Sequence, residues 1–313
     1  DVDAATRSGI IVCNAPQSNV VSAAEHTIAL LLALARNVPQ AHGALVAGRW
    51  ERSRWSGVEL YGKTLGVLGL GRIGALVAER LQAFGMDVEL LPSVEAVLGR
   101  ADVVTVHLPR TPDTANLLDA TRLALMKPGA LLLNVARGGL IDEAALAEAL
   151  REGRLGGAAV DVFVKEPMTE SPLFGLENVV VTPHLGASTS EAQDKAGTQV
   201  AEYVNLALAG EFVPSAINMQ GGPLGDELRP FLPLTDHLGR LLTALADDGI
   251  SGSITVEFLG AIAASDCRIL GIGVLRGLLS AASGEPVTLV NAPIMAEHRG
   301  ITVREVNDPQ SGD

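Results

Sequence analysis

Short apolar runs alternate with amphipathic stretches through the middle of the chain. Residues 65–70, 103–108, 130–135, 157–162 and 179–182 are rich in Val, Leu and Ala and read as β-strands. Residues 72–84 and 143–152 repeat apolar positions three and four apart and read as helices. Strand and helix in turn predict a doubly wound α/β unit, a parallel sheet with helices on both faces. Ahead of it, residues 10–13 form a short predicted strand. A strongly apolar helix follows, with Ser22 and Glu25 at capping-box spacing and an end near Asn37, before Pro39. A second helical stretch reaches Trp50, and 52–63 reads as a connection. Behind the unit, a long helix over 189–209 closes at Gly210. Gly221-Gly222-Pro223 then marks a boundary. Past it, an amphipathic helix over 228–245, a further helical run and two strands at 254–259 and 301–306 predict a smaller α+β domain.

Composition narrows the class of protein. With 313 residues, 48% hydrophobic and 19% charged, the chain can bury one large core or two ordinary ones. Its 36 acidic and 23 basic residues leave a net charge of −13, and Lys occurs only at 63, 127, 165 and 195. Such a surface repels phosphate backbones, which argues against a nucleic-acid partner. The longest strongly apolar run, 27–35, lies between His26 and Arg36, far short of the roughly 20 residues of a membrane span. Cys13 and Cys267 alone give neither a disulfide framework nor a cysteine-based metal site, so no metal is expected and a reducing cytoplasm suits the chain. It opens on Asp1 without Met, directly before a helical pattern, and so reads as a piece of something longer.

Gly69-Leu70-Gly71-Arg72-Ile73-Gly74 follows an apolar strand and opens a helix, the context in which a glycine pattern carries a phosphate-binding meaning. The first glycine permits the tight turn, the second lets a pyrophosphate approach the backbone, and the third lets the helix pack on the strand. Free N–H groups at the helix start then face the phosphate charge. The segment reads as the dinucleotide turn of a Rossmann unit, the alternative being a glycine-rich turn in an unrelated α/β protein. Such a unit also carries an acid about 20 residues along, at the end of its second strand, for the adenosine ribose. Here Gly85 to Pro92 leaves room for one short strand only, and Asp87 and Glu89 fall near its start or middle, as solvated strand acids would.

Three further segments place polar residues just past predicted strands, where open α/β sheets hold their sites. Arg137 follows one strand, Asp161 and Glu166 another, and His184 the last. Together with the glycine turn, in this order, they resemble the D-2-hydroxyacid dehydrogenase family, and within it the phosphoglycerate branch. The resemblance runs through Ser22-Ala23-Ala24-Glu25, Gly48-Arg49-Trp50, Gly62-Lys63-Thr64, Gly69 to Gly74, Val106-His107-Leu108-Pro109, Ala136-Arg137-Gly138-Gly139, Glu166-Pro167 and Pro183 to Thr189. Gly186 to Gln193 points to the phosphoglycerate branch. In the tail, Arg229 to Leu234 and Val290-Asn291-Ala292-Pro293 resemble the intervening domain of its long form.

The resemblance implies NAD as cofactor and a phosphorylated 2-hydroxy acid as substrate, in a homodimer or homotetramer built on helices at 20–50. His184 would exchange the proton, Glu166 would support it, and Arg137 would hold the substrate carboxylate. Arg72 and Ile73 would lie on the pyrophosphate with Gly69, Gly71 and Gly74. Leu108 would run along the adenosine side, with Ala136 and Asp161 near the nicotinamide ribose and amide. Val135, Gly186 and Ala187 complete the implied cofactor contacts. The implied domains are a remnant of the substrate domain (1–13), the NAD-binding domain (14–184), a return to the substrate domain (185–220) and an incomplete intervening domain (221–313). Relative to the family, a leading segment before Asp1, one strand and turn between Met86 and Val88, and a regulatory domain after Asp313 are missing. A hydroxypyruvate or glyoxylate reductase, an inactive fragment and a dinucleotide-gated binding scaffold are the alternative readings.

Overall fold

The computed structural model describes residues 1–89, 91–221, 224–246 and 252–311. Its strands are β1 (Thr64–Leu68), β2 (Asp87–Val88), β3 (Val103–Val106), β4 (Leu131–Asn134), β5 (Gly157–Val160), β6 (Val179–Val181), β7 (Gly252–Leu259) and β8 (Ile301–Asp308). The helices are α1 (Val2–Arg7), α2 (Val20–Ala35), α3 (Val38–Val46), α4 (Arg72–Gln82), α5 (Val94–Arg100), α6 (Ala120–Leu123), α7 (Glu143–Arg151), α8 (Ser190–Leu208), α9 (Phe231–Leu245), α10 (Arg268–Ala282) and α11 (Ala292–His298). They form two compact units, one of residues 17–196 and one of 1–16 with 197–313. Among the described residues, no helix is long and apolar enough to cross a membrane.

The first unit holds the expected parallel sheet, six strands in the order β2-β1-β3-β4-β5-β6. Strand side chains alternate between two cores because their period is two. Leu132 of β4, with Val104, Val106, Ala158 and Val160, packs on Leu98, Leu123, Leu146 and Leu150 from α5, α6 and α7. Leu131 and Leu133, with Leu65, Val103 and Ala159, pack instead on Leu30, Leu31 and Leu34 of α2 and Val77 and Leu81 of α4. With both faces covered, β3, β4 and β5 are buried at every position, which is why they read as unbroken apolar runs.

The second unit packs α9, α10 and α11 with the parallel pair β7 and β8, joined in register from Gly252↔Ile301 to Leu259↔Asp308. The expected α+β tail is therefore present. Gly239, Gly273 and Gly277 let α9 and α10 approach closely, and a Cβ on Gly277 would stand 2.0 Å from the Asp236 carbonyl oxygen.

Three local expectations are corrected. Residues 10–13 form no strand, and only Cys13 makes an isolated bridge, to Ala216. The second helix starts two residues before Ser22, whose hydroxyl donates to the Asn19 carbonyl rather than capping the helix. That helix, expected to present an apolar face for association, buries Leu30, Leu31 and Leu34 in its own unit. Apart from Val21 near its start, the exposed apolar side chains of this stretch lie beyond it, at Val38, Leu45, Val46 and Trp50.

Candidate active site

The glycine turn sits at the carboxyl end of β1. Gly69 has φ 103°, and a Cβ there would press within 2.7 Å of the His107 carbonyl oxygen. A Cβ on Gly74 would lie 2.0 Å from the Gly69 carbonyl oxygen, so this glycine seats α4 on the turn. Gly71 differs: its backbone is extended and a Cβ would meet nothing within 4 Å. The fold leaves the space beside Gly71 open, at the start of α4, where N–H groups and the helix dipole favour an anion. Arg72 and Ile73 follow as the first residues of that helix. The turn thus fits a pyrophosphate.

Beside it opens a cavity of about 440 Å³ lined by Ile73, Leu108, Val135, Ala136, Arg137, His184, Gly186 and Ala187, all expected from the sequence. Asn19, Ala23, His107, Pro109 and Arg110 line it too and were not expected. Arg137 is carried by a loop that buried Asn134 shapes. The Asn134 side chain donates to the Arg137 carbonyl at 3.0 Å and accepts from the Ala136 N–H at 3.1 Å. A Cβ on Gly138 would collide with the Phe163 carbonyl, so this loop lies directly against the segment that carries Glu166.

His184 and Glu166 meet, the imidazole Nδ1 standing 2.6 Å from Glu166 Oε2. The other carboxylate oxygen accepts the Phe163 N–H at 2.9 Å. Partial burial works to raise the Glu166 carboxyl. The Phe163 N–H, the His184 contact and the nearby Arg137 guanidinium outweigh it and hold the group below the usual carboxylate range. Glu166 is therefore a permanent anion near neutral pH. A second cavity of about 520 Å³, walled mainly by apolar groups such as Phe163, Met168 and Phe174, lies on the other side of the pair.

His184 adopts φ 58°, a left-handed conformation uncommon outside glycine. Asp161 fixes it. The Asp161 backbone carbonyl accepts the His184 N–H at 2.8 Å, and its fully buried carboxylate accepts the Leu185 and Gly186 N–H groups at 2.8 and 2.9 Å. The Thr182 hydroxyl and the His26 ring, 3.2 Å away, complete its partners. Asp161 therefore anchors the loop that presents His184. His26 reaches it from α2, 135 residues earlier in the chain, where no sequence signal marks it.

His107 follows β3 at the same sheet edge and shares a hydrogen bond with the buried Thr105 hydroxyl at 2.9 Å. Burial pushes its imidazole down to about 4, so it stays neutral. Its place just past a buried strand was a readable signal, the same one that marks Arg137 and His184.

β2 departs from the Rossmann plan. It pairs only Asp87 with Thr64 and Val88 with Leu65, whereas β1 runs on to Leu68. Asp87 thus stands at the amino end of the sheet. Glu89 is ion-paired with Arg100 at 2.8 Å.

Comparison with known proteins accords with this geometry. The NAD-binding domain model of the D-isomer-specific 2-hydroxyacid dehydrogenases matches residues 28–93 and 88–186. The chain belongs to that family. Residues 227–313 match the intervening domain of D-3-phosphoglycerate dehydrogenase. The chain is 51% identical to D-3-phosphoglycerate dehydrogenase of Mycobacterium leprae over 328 positions, covering 99% of this chain and 62% of the relative. It therefore spans about three-fifths of that relative's length. Because the chain has 313 residues, at least 15 of the 328 positions have no counterpart in it. The NAD-binding match comes in two pieces that meet at 88–93, where β2 stops. Among solved structures, the TT0316 protein from Thermus thermophilus is 41% identical with a TM-score of 0.65, covering 69% of this chain and 74% of that one. NAD-dependent formate dehydrogenase from Staphylococcus aureus, solved with NAD, is 32% identical with a TM-score of 0.63, covering 72% and 70%. The cofactor named for the family's domain is NAD, whose pyrophosphate the turn fits.

Proposed function

We propose that this chain is part of a cytoplasmic enzyme that oxidises 3-phosphoglycerate to 3-phosphohydroxypyruvate with NAD, the first step of serine synthesis. The observation that carries the reading is the His184–Glu166 contact, with His184 and Arg137 on the cavity that Ile73 of the glycine turn also lines. Bound NAD supplies the hydride acceptor. His184 Nε2 takes the hydroxyl proton of the substrate, and the anionic Glu166 keeps the ring oriented and steadies the imidazolium that forms. Arg137 grips the substrate carboxylate with its planar fork, which sets the reacting carbon toward the cofactor. Arg110, on the same cavity, offers a second cation for a substrate with two anionic groups, a carboxylate and a phosphate. Gly69, Gly71, Arg72, Ile73 and Gly74 hold the pyrophosphate. Val135, Ala136, Gly186 and Ala187 line the nicotinamide side, and Leu108 the adenosine side.

The test is substrate choice in a chimaera that carries, from a relative, the residues without counterpart here. Turnover per bound substrate on 3-phosphoglycerate should exceed that on unphosphorylated glycerate by at least ~10²-fold, because a site built for a charged group rejects the analogue lacking it. Equal or better use of glycerate would replace this reading with a hydroxypyruvate or glyoxylate reductase.

A homodimer joined through α3 and the loop after it belongs to the same proposal. Val38, Leu45, Val46 and Trp50 are exposed there, Trp50 by 81%. Exposed apolar surface of this kind suits a face that a second copy covers.

A further inference from the structure

The cofactor crevice is built unequally at its two ends. Its pyrophosphate end is complete, with the open space beside Gly71 and the start of α4. Its adenosine end lacks the group that sorts dinucleotides. A carboxylate at the carboxyl end of the second strand normally holds the ribose hydroxyls of NAD, and a nearby Arg serves the 2′-phosphate of NADP. In this chain β2 ends at Val88, level with Leu65, while β1 continues to Leu68 and the turn at Gly69. The strand stops about 10 Å short of the crevice, at roughly 3.3 Å per residue.

The acids of that strand and of the segment after it are placed or paired away from the crevice. Asp87 is level with Thr64, at the far end of the sheet. Glu89 pairs with Arg100 at 2.8 Å, and Glu95 with Arg122 at 3.0 Å. Leu90, Leu91 and Pro92, which follow Glu89, carry no charge, and neither Lys nor Arg occurs between Met86 and Gly99. Among the described residues of β2 and the segment after it, neither a carboxylate to select the free ribose nor a cation to select its phosphate is in place.

We propose that this chain binds its dinucleotide through the pyrophosphate and nicotinamide halves alone and does not distinguish NAD from NADP. The inference rests on the crevice being the dinucleotide site. Calorimetric titration of NADH and of NADPH into the 313-residue chain and into its Gly71→Val variant tests both. The variant places two methyl groups where the pyrophosphate would lie, yet the extended backbone and open space at Gly71 leave the fold undisturbed. The two dissociation constants should agree within about threefold in the parent and should both rise at least tenfold in Gly71→Val. A tenfold or greater preference for NADH or for NADPH, lost with the variant, overturns the proposal and leaves the crevice as the site. Absence of binding for both nucleotides at millimolar concentration, or binding that Gly71→Val leaves unchanged, overturns the crevice reading as well.

Discussion

His107 illustrates how one half-buried side chain couples the candidate site to stability. Its imidazole titrates near 4 in the folded chain and near 6.5 in an unfolded one. Between these values the unfolded state binds a proton that the native state refuses, so stability rises with pH across that window. It is fully present above about 6.5, is lost as pH falls toward 4, and the difference amounts to about 3 kcal/mol. His107→Asn keeps a polar partner for the Thr105 hydroxyl and removes the titrating ring. Unfolding free energies measured by denaturant from pH 4 to 7 should therefore vary less steeply with pH in the variant than in the parent. Identical slopes would mean that His107 is not held neutral. Glu166 obeys the opposite chemistry at the same edge, held anionic by the Phe163 N–H and by His184 despite its partial burial. A neutral ring and a fixed anion thus stand close together at one sheet edge, each set by its own surroundings.

Among elements, α3 carries the association proposal. Sedimentation of the chain at micromolar concentration should show a dimer, and Trp50→Glu should shift it to monomer by setting a charge in an apolar contact. A parent that sediments as a monomer removes α3 as an interface. The strands of the sheet were legible because burial on both faces leaves them unbrokenly apolar, as in Leu131–Asn134. The glycine turn and the Arg137, Glu166 and His184 set were legible because each follows such a strand. What escaped depends on contacts distant in sequence. His26 meets Asp161 only once α2 lies against the sheet. The apolar character of α2 looked like an outer face but fills the core beneath β4 and β5. The strand expected at 10–13 failed for a related reason: its apolar residues find a single bridge partner, at Ala216, and no neighbouring ladder.

At the scale of the molecule, a parallel sheet brings three chain segments that are far apart in sequence to one edge, beside a turn shaped for phosphate. Asp161 ties the last of them down by accepting N–H groups from Leu185 and Gly186. The sheet unit thereby presents the cofactor crevice, His184 and Arg137 on one face, while substrate capture asks for a cleft with a second wall. Chemistry is therefore measured best in the chimaera that includes the relatives' additional residues. The decisive measurement is the rate of NADH formation from 3-phosphoglycerate by that chimaera and by its His184→Asn variant, with NADH affinity determined alongside. Loss of the proton acceptor should lower turnover by at least ~10²-fold and leave the NADH dissociation constant within about twofold. Turnover within a few fold of the parent would show that His184 does not exchange the substrate proton.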